Sequence, residues 1–428
     1  MNNLAIIILA AGKGKRMKSK LPKALHPLCG RPMLKYVLDL ARSLKAKEAV
    51  VVAGHGYKEV KKIVPAGKIR VVLQKKLLGS GDAVKCALSS GLKGFKGTVL
   101  VLYSDVPLLK KETLKKLLKY HIENKVDATL LSVQLNKPAG YGRLLRDKYY
   151  TVRQIVEEND ANDAQKQIKE VNTGIVCFNK EKLSSLLTGL KPNSRKKEYY
   201  LTDIIKAFYE KGYLVDAVKA EDADEAMGVN SRVDLSRANA FMQQRIIKGL
   251  MEQGITVVSP EHTFINYGAK IGRDTVIYPF TVIESDVKIG KRCFIGPFAH
   301  LRQNTVLEDD VVAGNFIETV RSRLGAGTLA KHFSYIGDSR IGRKVNIGAG
   351  SVSANFDGKK KNLTVIDNGA FIGSNTVLVA PVKIGRAAVT GAGSAVTRDV
   401  PANTVVVGVP ARALKKLTSL KQGALKDG

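Results

Sequence analysis

Tryptophan is absent from the 428 residues, aromatic side chains make up only 6%, and cysteine occurs four times. Cys29, Cys86, Cys177 and Cys293 lie far apart with no CxxC pair. That spacing excludes a disulfide-stapled module and a CxxC zinc site, and it reads as free thiols in a reducing compartment. No apolar run approaches the roughly 20 residues of a membrane span, and the N-terminus lacks the charged region and apolar stretch of a signal peptide. The expectation is a cytoplasmic protein with no membrane span. Acidic residues are scarce as well: 38 Asp plus Glu face 70 Lys plus Arg, a formal net charge of +32. Such an excess suits anionic partners. The basic residues are spread along the chain without an RNA-binding aromatic signature, so no nucleic-acid partner is expected; between a membrane surface and phosphorylated metabolites charge alone does not choose.

What is present is a chain 44% hydrophobic and too long for one ordinary core, which predicts two or three domains. From Leu4 to about Val229, short β-branched runs alternate with lysine-rich amphipathic stretches, the pattern of a parallel sheet wrapped by helices. Strands are expected at 4–10, 49–54, 69–74, 98–105 and 128–135, and helices near 33–45, 81–91 and 111–124. Ligands of such a sheet gather at the carboxyl ends of its strands. Residues 231–253 read as one helix, capped by Ser231 and ended by Gly254. Beyond it the period becomes six. Ile265, Ile271, Ile277, Ile283, Ile289, Ile295, Leu301 and Leu307 follow one another at that interval, and the register returns at Ile341, Ile347, Ile366, Ile372, Leu378 and Ile384. A six-residue period with small turn residues beside the aliphatics predicts a three-sided parallel β-helix of about eight coils over 263–410, broken by a polar loop near 356–363. A solenoid can also be a spacer without chemistry. The expected domains are 1–229, a helical linker at 230–253, and 254–428.

Directly after the first strand, LAAGKGKRMKSKLPKAL places Gly12 and Gly14 where backbone N–H groups can close on phosphate oxygens. It is neither a Walker loop, lacking GK[ST], nor GxGxxG, since Met17 stands at the third glycine. Lys13, Arg16 and Lys23 add positive charge, so a polyphosphate ligand is expected; a basic surface turn is the plain alternative.

LAAGKGKRM followed by LPKAL resembles the signature of sugar-nucleotide pyrophosphorylases. LQKKLLGSGDA (73–83), YSDVPL (103–108), PAGYGRL (138–144), IVEEND (155–160), EVNTGI (170–175), EYYLTDII (198–205) and GVNSR (228–232) follow in the order of one branch. That branch, fused to a hexapeptide β-helix, is the bifunctional N-acetylglucosamine-1-phosphate uridylyltransferase and glucosamine-1-phosphate N-acetyltransferase family. The resemblance implies an α/β Rossmann-like nucleotidyltransferase domain joined by a helix to a left-handed parallel β-helix, in a homotrimer. The substrates it implies are UTP, glucosamine 1-phosphate, N-acetylglucosamine 1-phosphate and acetyl-CoA. It further implies that Leu9, Ala10, Ala11, Gly12, Gly14 and Lys23 border the nucleotide, and that Gln74, Gly79 and Ser80 hold the uracil. Asp105 and Asn230 are implied Mg2+ ligands, while Gly140, Glu157 and Asn172 hold the sugar. No general base is needed, because the sugar phosphate is already an anion; Arg16, Lys23 and Mg2+ are implied to stabilise the transition state. Asn159 stands where relatives usually carry Lys, and Ser80 where they carry Thr.

A second site is expected in 314–358, which leaves the six-residue rhythm and concentrates His332, Tyr335, Asn346 and Asn355. Acetyl transfer to a sugar amine benefits from a base of pKa near 7, and His332 is the candidate, although a lone histidine is often structural. By the same resemblance Arg302 and Tyr335 contact the sugar phosphate, Asn346 and Asn355 the sugar, and Ser374 and Ala392 coenzyme A. Val320 replaces a second phosphate-binding Lys, Phe356 the Tyr of an NYDG motif, and VGVPARALKK an Arg-bearing C-terminal stretch. Arg321, Lys359, Lys360 and Lys361 offer charge nearby. The competing expectation is a nucleotidyltransferase of other sugar or base specificity whose β-helix only trimerises.

Overall fold

The computed structural model describes residues 3–67, 69–192 and 197–417. It divides into two compact units, Met1–Phe241 and Met242–Gly428, with the division falling inside the helix Arg232–Met251.

In the first unit, Leu4–Ala10 is buried at every position, as a β-branched run flanked on both sides must be. It pairs in parallel with Glu48–Ala53 on one side and Thr98–Tyr103 on the other. Chain order therefore reverses at this strand, which leaves a crevice beyond its carboxyl end. Ile69–Leu73 extends the sheet on one side, and Glu170–Asn179, Ala128–Gln134 and Val215–Lys219 extend it on the other. The five strands expected from sequence form within a residue or two of their expected limits. The sheet is not wholly parallel, however: Glu170–Asn179 runs antiparallel to both neighbours. Before it the chain makes the hairpin Arg143–Arg146 with Val152–Val156 and only the four-residue helix Asp163–Lys166. A parallel return needs a crossover of a dozen or more residues, usually one long helix, and none is there.

Helix Arg232–Met251 begins where expected. The Asp234 carboxylate accepts from the backbone N–H of Asn230 and Ser231, and Asp234 N–H donates to the Ser231 hydroxyl, so the first turn is capped reciprocally. Gly254, at φ 89°, ends it.

The second unit is a three-sided coil of short parallel strands. Thr256–Val257 already pairs with Val276–Ile277, so the coils begin slightly before 263. Val276–Ile277, Phe294–Ile295 and Val312–Val320 stack on one side, Val282–Ile283 and His300–Leu301 on the second, and Lys288–Ile289 and Val306–Leu307 on the third. The six-periodic aliphatics point inward and are buried except Ile271, which is half-buried. Glycine follows where coils approach: a Cβ on Gly272 would lie 2.5 Å from the Gly290 carbonyl oxygen.

Each turn is made by a residue in the left-handed region, at Asp274, Phe280, Asp286, Arg292, Phe298, Asn304, Asp310 and Phe316. One corner thus carries phenylalanine on successive coils. Phe280, Phe298 and Phe316 stack with centroids 5.0 and 5.1 Å apart, and His262 joins Phe280 at 5.3 Å. Left-handed backbone costs an L-residue about 1–2 kcal/mol, and each ring pair returns about 0.5–1.5 kcal/mol, so the column roughly offsets its own strain. The polar loop 356–363 leaves the coil as expected: the Asp357 carboxylate accepts from the N–H groups of Lys359 and Lys360, both at 2.8 Å.

Candidate functional site

Beyond the carboxyl end of Leu4–Ala10 lies a cavity of about 600 Å³. Leu9, Ala10, Ala11, Gly12, Gly14, Arg16, Lys23, Gln74, Gly79, Ser80, Asp105 and Asn230 all line it. So does Lys13, expected there as positive charge beside the glycines, and so do Lys15, Tyr103, Ser104 and Glu198, which sequence reasoning did not assign to it. The motifs YSDVPL and EYYLTDII held the signal for Tyr103 and Glu198, but only the fold turns those side chains inward.

Gly14, at φ 60°, makes the turn after the first strand and leaves room for Lys23, since a Cβ on Gly14 would meet Lys23 Cβ at 2.7 Å. Pro22 is fixed in turn against Gly56, which has no Cβ to oppose it. Lys23 therefore rises into the cavity with a defined stem. Its ammonium donates to the Asp105 carboxylate and, at 2.7 Å, to the Asn230 Oδ1. Those two oxygens are neighbours because the Val229 N–H donates to the Asp105 carbonyl at 2.8 Å, which draws the start of the long helix to the end of Thr98–Tyr103.

Gln74 is buried, and its side-chain nitrogen donates to Gly79 O at 3.0 Å and to Asp82 Oδ2 at 2.7 Å. Two acceptors at that end fix the amide so that Oε1 is left as the acceptor. With both donors already engaged, the amide is left with acceptance only. Gly79, at φ 104°, lies where a Cβ would come 2.5 Å from the Tyr199 carbonyl oxygen, and the Ser80 hydroxyl accepts from Leu201 N–H. Burial pushes the Tyr103 phenol upward, so it remains protonated.

Gly140, Glu157 and Asn172 are not part of this lining. Glu157 Oε1 accepts from Thr202 at 3.0 Å, Gly140 N–H donates to Glu158, and Asn172 Oδ1 accepts from Gly174 N–H. Glu157 lies near Tyr103 of the lining, whose phenol feels its charge, and a Cβ on Gly174, next but one to Asn172, would meet the Tyr103 ring at 3.0 Å. Among the described residues no group of three or more His, Cys, Asp or Glu forms a metal cage.

In the second unit, Arg302 Nη1 donates to Glu318 at 2.7 Å, and Glu318 sits in register with Tyr335 on the next coil. The Tyr335 hydroxyl and the Asn355 amide converge over Gly337, where a Cβ would lie 2.5 and 2.7 Å from them. Asn355 also donates to Asp338, which Arg321 grips at 2.6 and 2.7 Å. The Arg321 hydrogen bonds, opposed by desolvation, hold the Asp338 carboxyl below its usual range. Arg302, Tyr335 and Asn355 thus form one polar surface. Val320 is buried beside it and adds no charge.

His332 lies outside that cluster, exposed in Leu329–Gly337 and in register with Asn315; its ring has no hydrogen-bond partner among the described residues. It occupies the corner that later coils continue: Asn375 N–H donates to Ala349 O, and Gly393 N–H to Ser374 O. Ser374 and Ala392 follow along that edge, with Asn346 on the adjoining side in register with Leu329 and Phe371.

A sheet with a glycine-rich, lysine-lined crevice at its switch point, followed by a hexapeptide coil with a polar corner, defines a nucleotidyltransferase joined to a hexapeptide-repeat transferase. Family models agree: a MobA-like NTP transferase domain matches residues 6–171, bacterial transferase hexapeptide repeats match 268–303, and a hexapeptide repeat of succinyl-transferase matches 364–398. The bifunctional protein GlmU of Thermosipho africanus is 43% identical over 94% of both chains. That of Desulfitobacterium hafniense is 40% identical over 95% of this chain and 96% of its own, and that of Geotalea uraniireducens 40% over 99% and 100%. The chain belongs to the GlmU family of bifunctional proteins. It is a uridylyltransferase and an acetyltransferase that makes UDP-N-acetylglucosamine in two steps, acetylating glucosamine 1-phosphate and then joining the product to the uridylyl group of UTP.

Proposed function

We propose that uridylyl transfer takes place in the cavity above Gly12 and Gly14, and acetyl transfer along the His332 corner of the coil. The first assignment rests on one observation: the Asp105 and Asn230 side-chain oxygens converge on a single cation, the Lys23 ammonium. Two hard oxygen donors already meeting a positive charge suit Mg2+, which keeps its other positions for water and phosphate. When bound, Mg2+ supplies charge neutralisation at the triphosphate. The backbone N–H groups of Gly12 and Gly14 face phosphate oxygens, Arg16 and Lys23 balance the charge that develops on departing pyrophosphate, and Gln74 Oε1 accepts from uracil N3–H. Gly79 and Ser80 shape the base pocket beside Leu9, Ala10 and Ala11. N-acetylglucosamine 1-phosphate, held through Gly140, Glu157 and Asn172, attacks the α-phosphorus in line.

At the second site, His332 takes the proton of the glucosamine 1-phosphate amine as it attacks the thioester carbonyl of acetyl-CoA, and the CoA thiolate leaves. Its unpartnered ring nitrogen is free for that task. Arg302 and Tyr335 hold the sugar phosphate, Asn346 and Asn355 the sugar, and Ser374 and Ala392 border the pantetheine. The working assembly is a cytoplasmic homotrimer whose domains are 1–229, the linker 230–253, and 254–428.

Mass spectrometry of products from glucosamine 1-phosphate, acetyl-CoA, UTP and Mg2+, beside a reaction started from N-acetylglucosamine 1-phosphate, tests the reading. UDP-N-acetylglucosamine is expected in both. Product only in the second would remove the acetyl-transfer site from His332 and favour a trimerising coil.

A further inference from the structure

The cation between Asp105 and Asn230 belongs to the protein itself. Lys23 is the only cation paired with Asp105 among the described residues, although Lys13, Lys15 and Arg16 line the same cavity. Both partners are largely covered, with side-chain exposures of 15% and 20%, so an uncompensated Asp105 carboxylate there is unfavourable. The Lys23 stem is held by the space at Gly14 and by Pro22 against Gly56, so the ammonium reaches Asp105 without rearrangement of the backbone.

We propose that Lys23 is a built-in counter-ion that keeps the metal position closed until a nucleotide brings the metal; this rests on the assignment of Asp105 and Asn230 as the metal ligands. A divalent cation arriving alone must displace the ammonium, which then faces Lys13, Lys15 and Arg16 with Glu198 as the one further carboxylate lining the cavity. A cation arriving with a nucleoside triphosphate brings phosphate oxygens to which the displaced ammonium turns. Lys23 thereby couples metal binding to nucleotide binding, and the coupling is reciprocal. In this account Lys23 has a task before the reaction, in setting the order of occupancy, as well as at the phosphates during it.

The test is Mn2+ binding by the full chain, followed by electron paramagnetic resonance without nucleotide and then with UTP. Lys23→Met should bind Mn2+ alone about tenfold more tightly than the parent, and UTP should tighten it further by a smaller factor than in the parent. Lys23→Arg, which keeps the charge, should resemble the parent, and thermal unfolding checks that each variant is folded. Lys23→Met binding Mn2+ alone no more tightly than the parent, or no differently from Lys23→Arg, overturns the proposal. Asp105→Asn separates the two levels. If it abolishes UTP-dependent Mn2+ binding in the parent while Lys23→Met gains nothing, the metal site stands and the counter-ion role falls. If the gain in Lys23→Met persists when Asp105→Asn is added, the metal is not on Asp105 and both fall.

Discussion

Gln74 is oriented by Asp82, whose carboxylate accepts from its side-chain nitrogen at 2.7 Å. With Gly79 O engaged by the same nitrogen, the free oxygen presents an acceptor to the cavity, which suits the N3–H of uracil and repels the N3 lone pair of cytosine. Asp82→Ala removes the stronger, charge-assisted anchor. The ratio of kcat/KM for UTP to that for CTP should fall by about tenfold, a loss of about 1.4 kcal/mol of discrimination. An unchanged ratio would assign the orientation to Gly79 alone.

Gly14→Ala places a Cβ 2.7 Å from Lys23 Cβ and does so at φ 60°. Moving the lysine stem by even part of an ångström displaces its ammonium from the phosphates. Uridylyl transfer should lose about a hundredfold in kcat/KM, while acetyl transfer by the same preparation stays unchanged. Equal loss of both activities would mean a global folding defect instead.

His332→Asn tests the other half. The loss of a general base typically removes about 10²–10⁴ in rate, here confined to CoA release, with pyrophosphate release from UTP and N-acetylglucosamine 1-phosphate intact.

How far these residues were legible in the sequence differs between the two units. The coil was readable because each period repeats the same local solution, an inward aliphatic and a left-handed turn residue, with no reliance on distant partners. In the first unit the strands were readable and their order was not. Nothing in the segment around residue 23 says that it meets 105 and 230, a convergence made by the Val229–Asp105 backbone bond and by Pro22 on Gly56. The antiparallel direction of Glu170–Asn179 escaped for a related reason, since a strand's own residues do not encode its direction; what fills the preceding connection does, here a hairpin and a four-residue helix in place of a crossover helix. Asp82, in the first turn of the helix Ser80–Cys86, acquires its role only because the fold places Gln74 against it.

Stability should also fall in acid through a residue that belongs to neither proposed site. His121 is buried with Nδ1 2.9 Å from the Thr129 hydroxyl, and burial lowers its pKa to about 4 against an ordinary 6.5. The folded state holds it neutral and the unfolded state protonates it first. Its contribution is therefore fully present above pH 6.5 and is lost as pH falls towards 4, up to about 3 kcal/mol. Urea midpoints at pH 7 and pH 4.5 should separate more for the parent than for His121→Leu; equal separations would place the acid sensitivity elsewhere.

The left-handed residue at every sixth position from Asp274 to Phe316 gives this stretch the properties of a screw thread. Adding or removing eighteen residues there lengthens or shortens the rod by one pitch of about 4.8 Å and returns every later side chain to its own flank. A change that is neither a whole pitch nor looped out of the coil, as 356–363 is, moves every later side chain to another flank. These early coils carry only Arg302 among the residues proposed for acetyl transfer, so they are where gene duplication or loss can tune the reach of the rod while the chemistry downstream stays in phase.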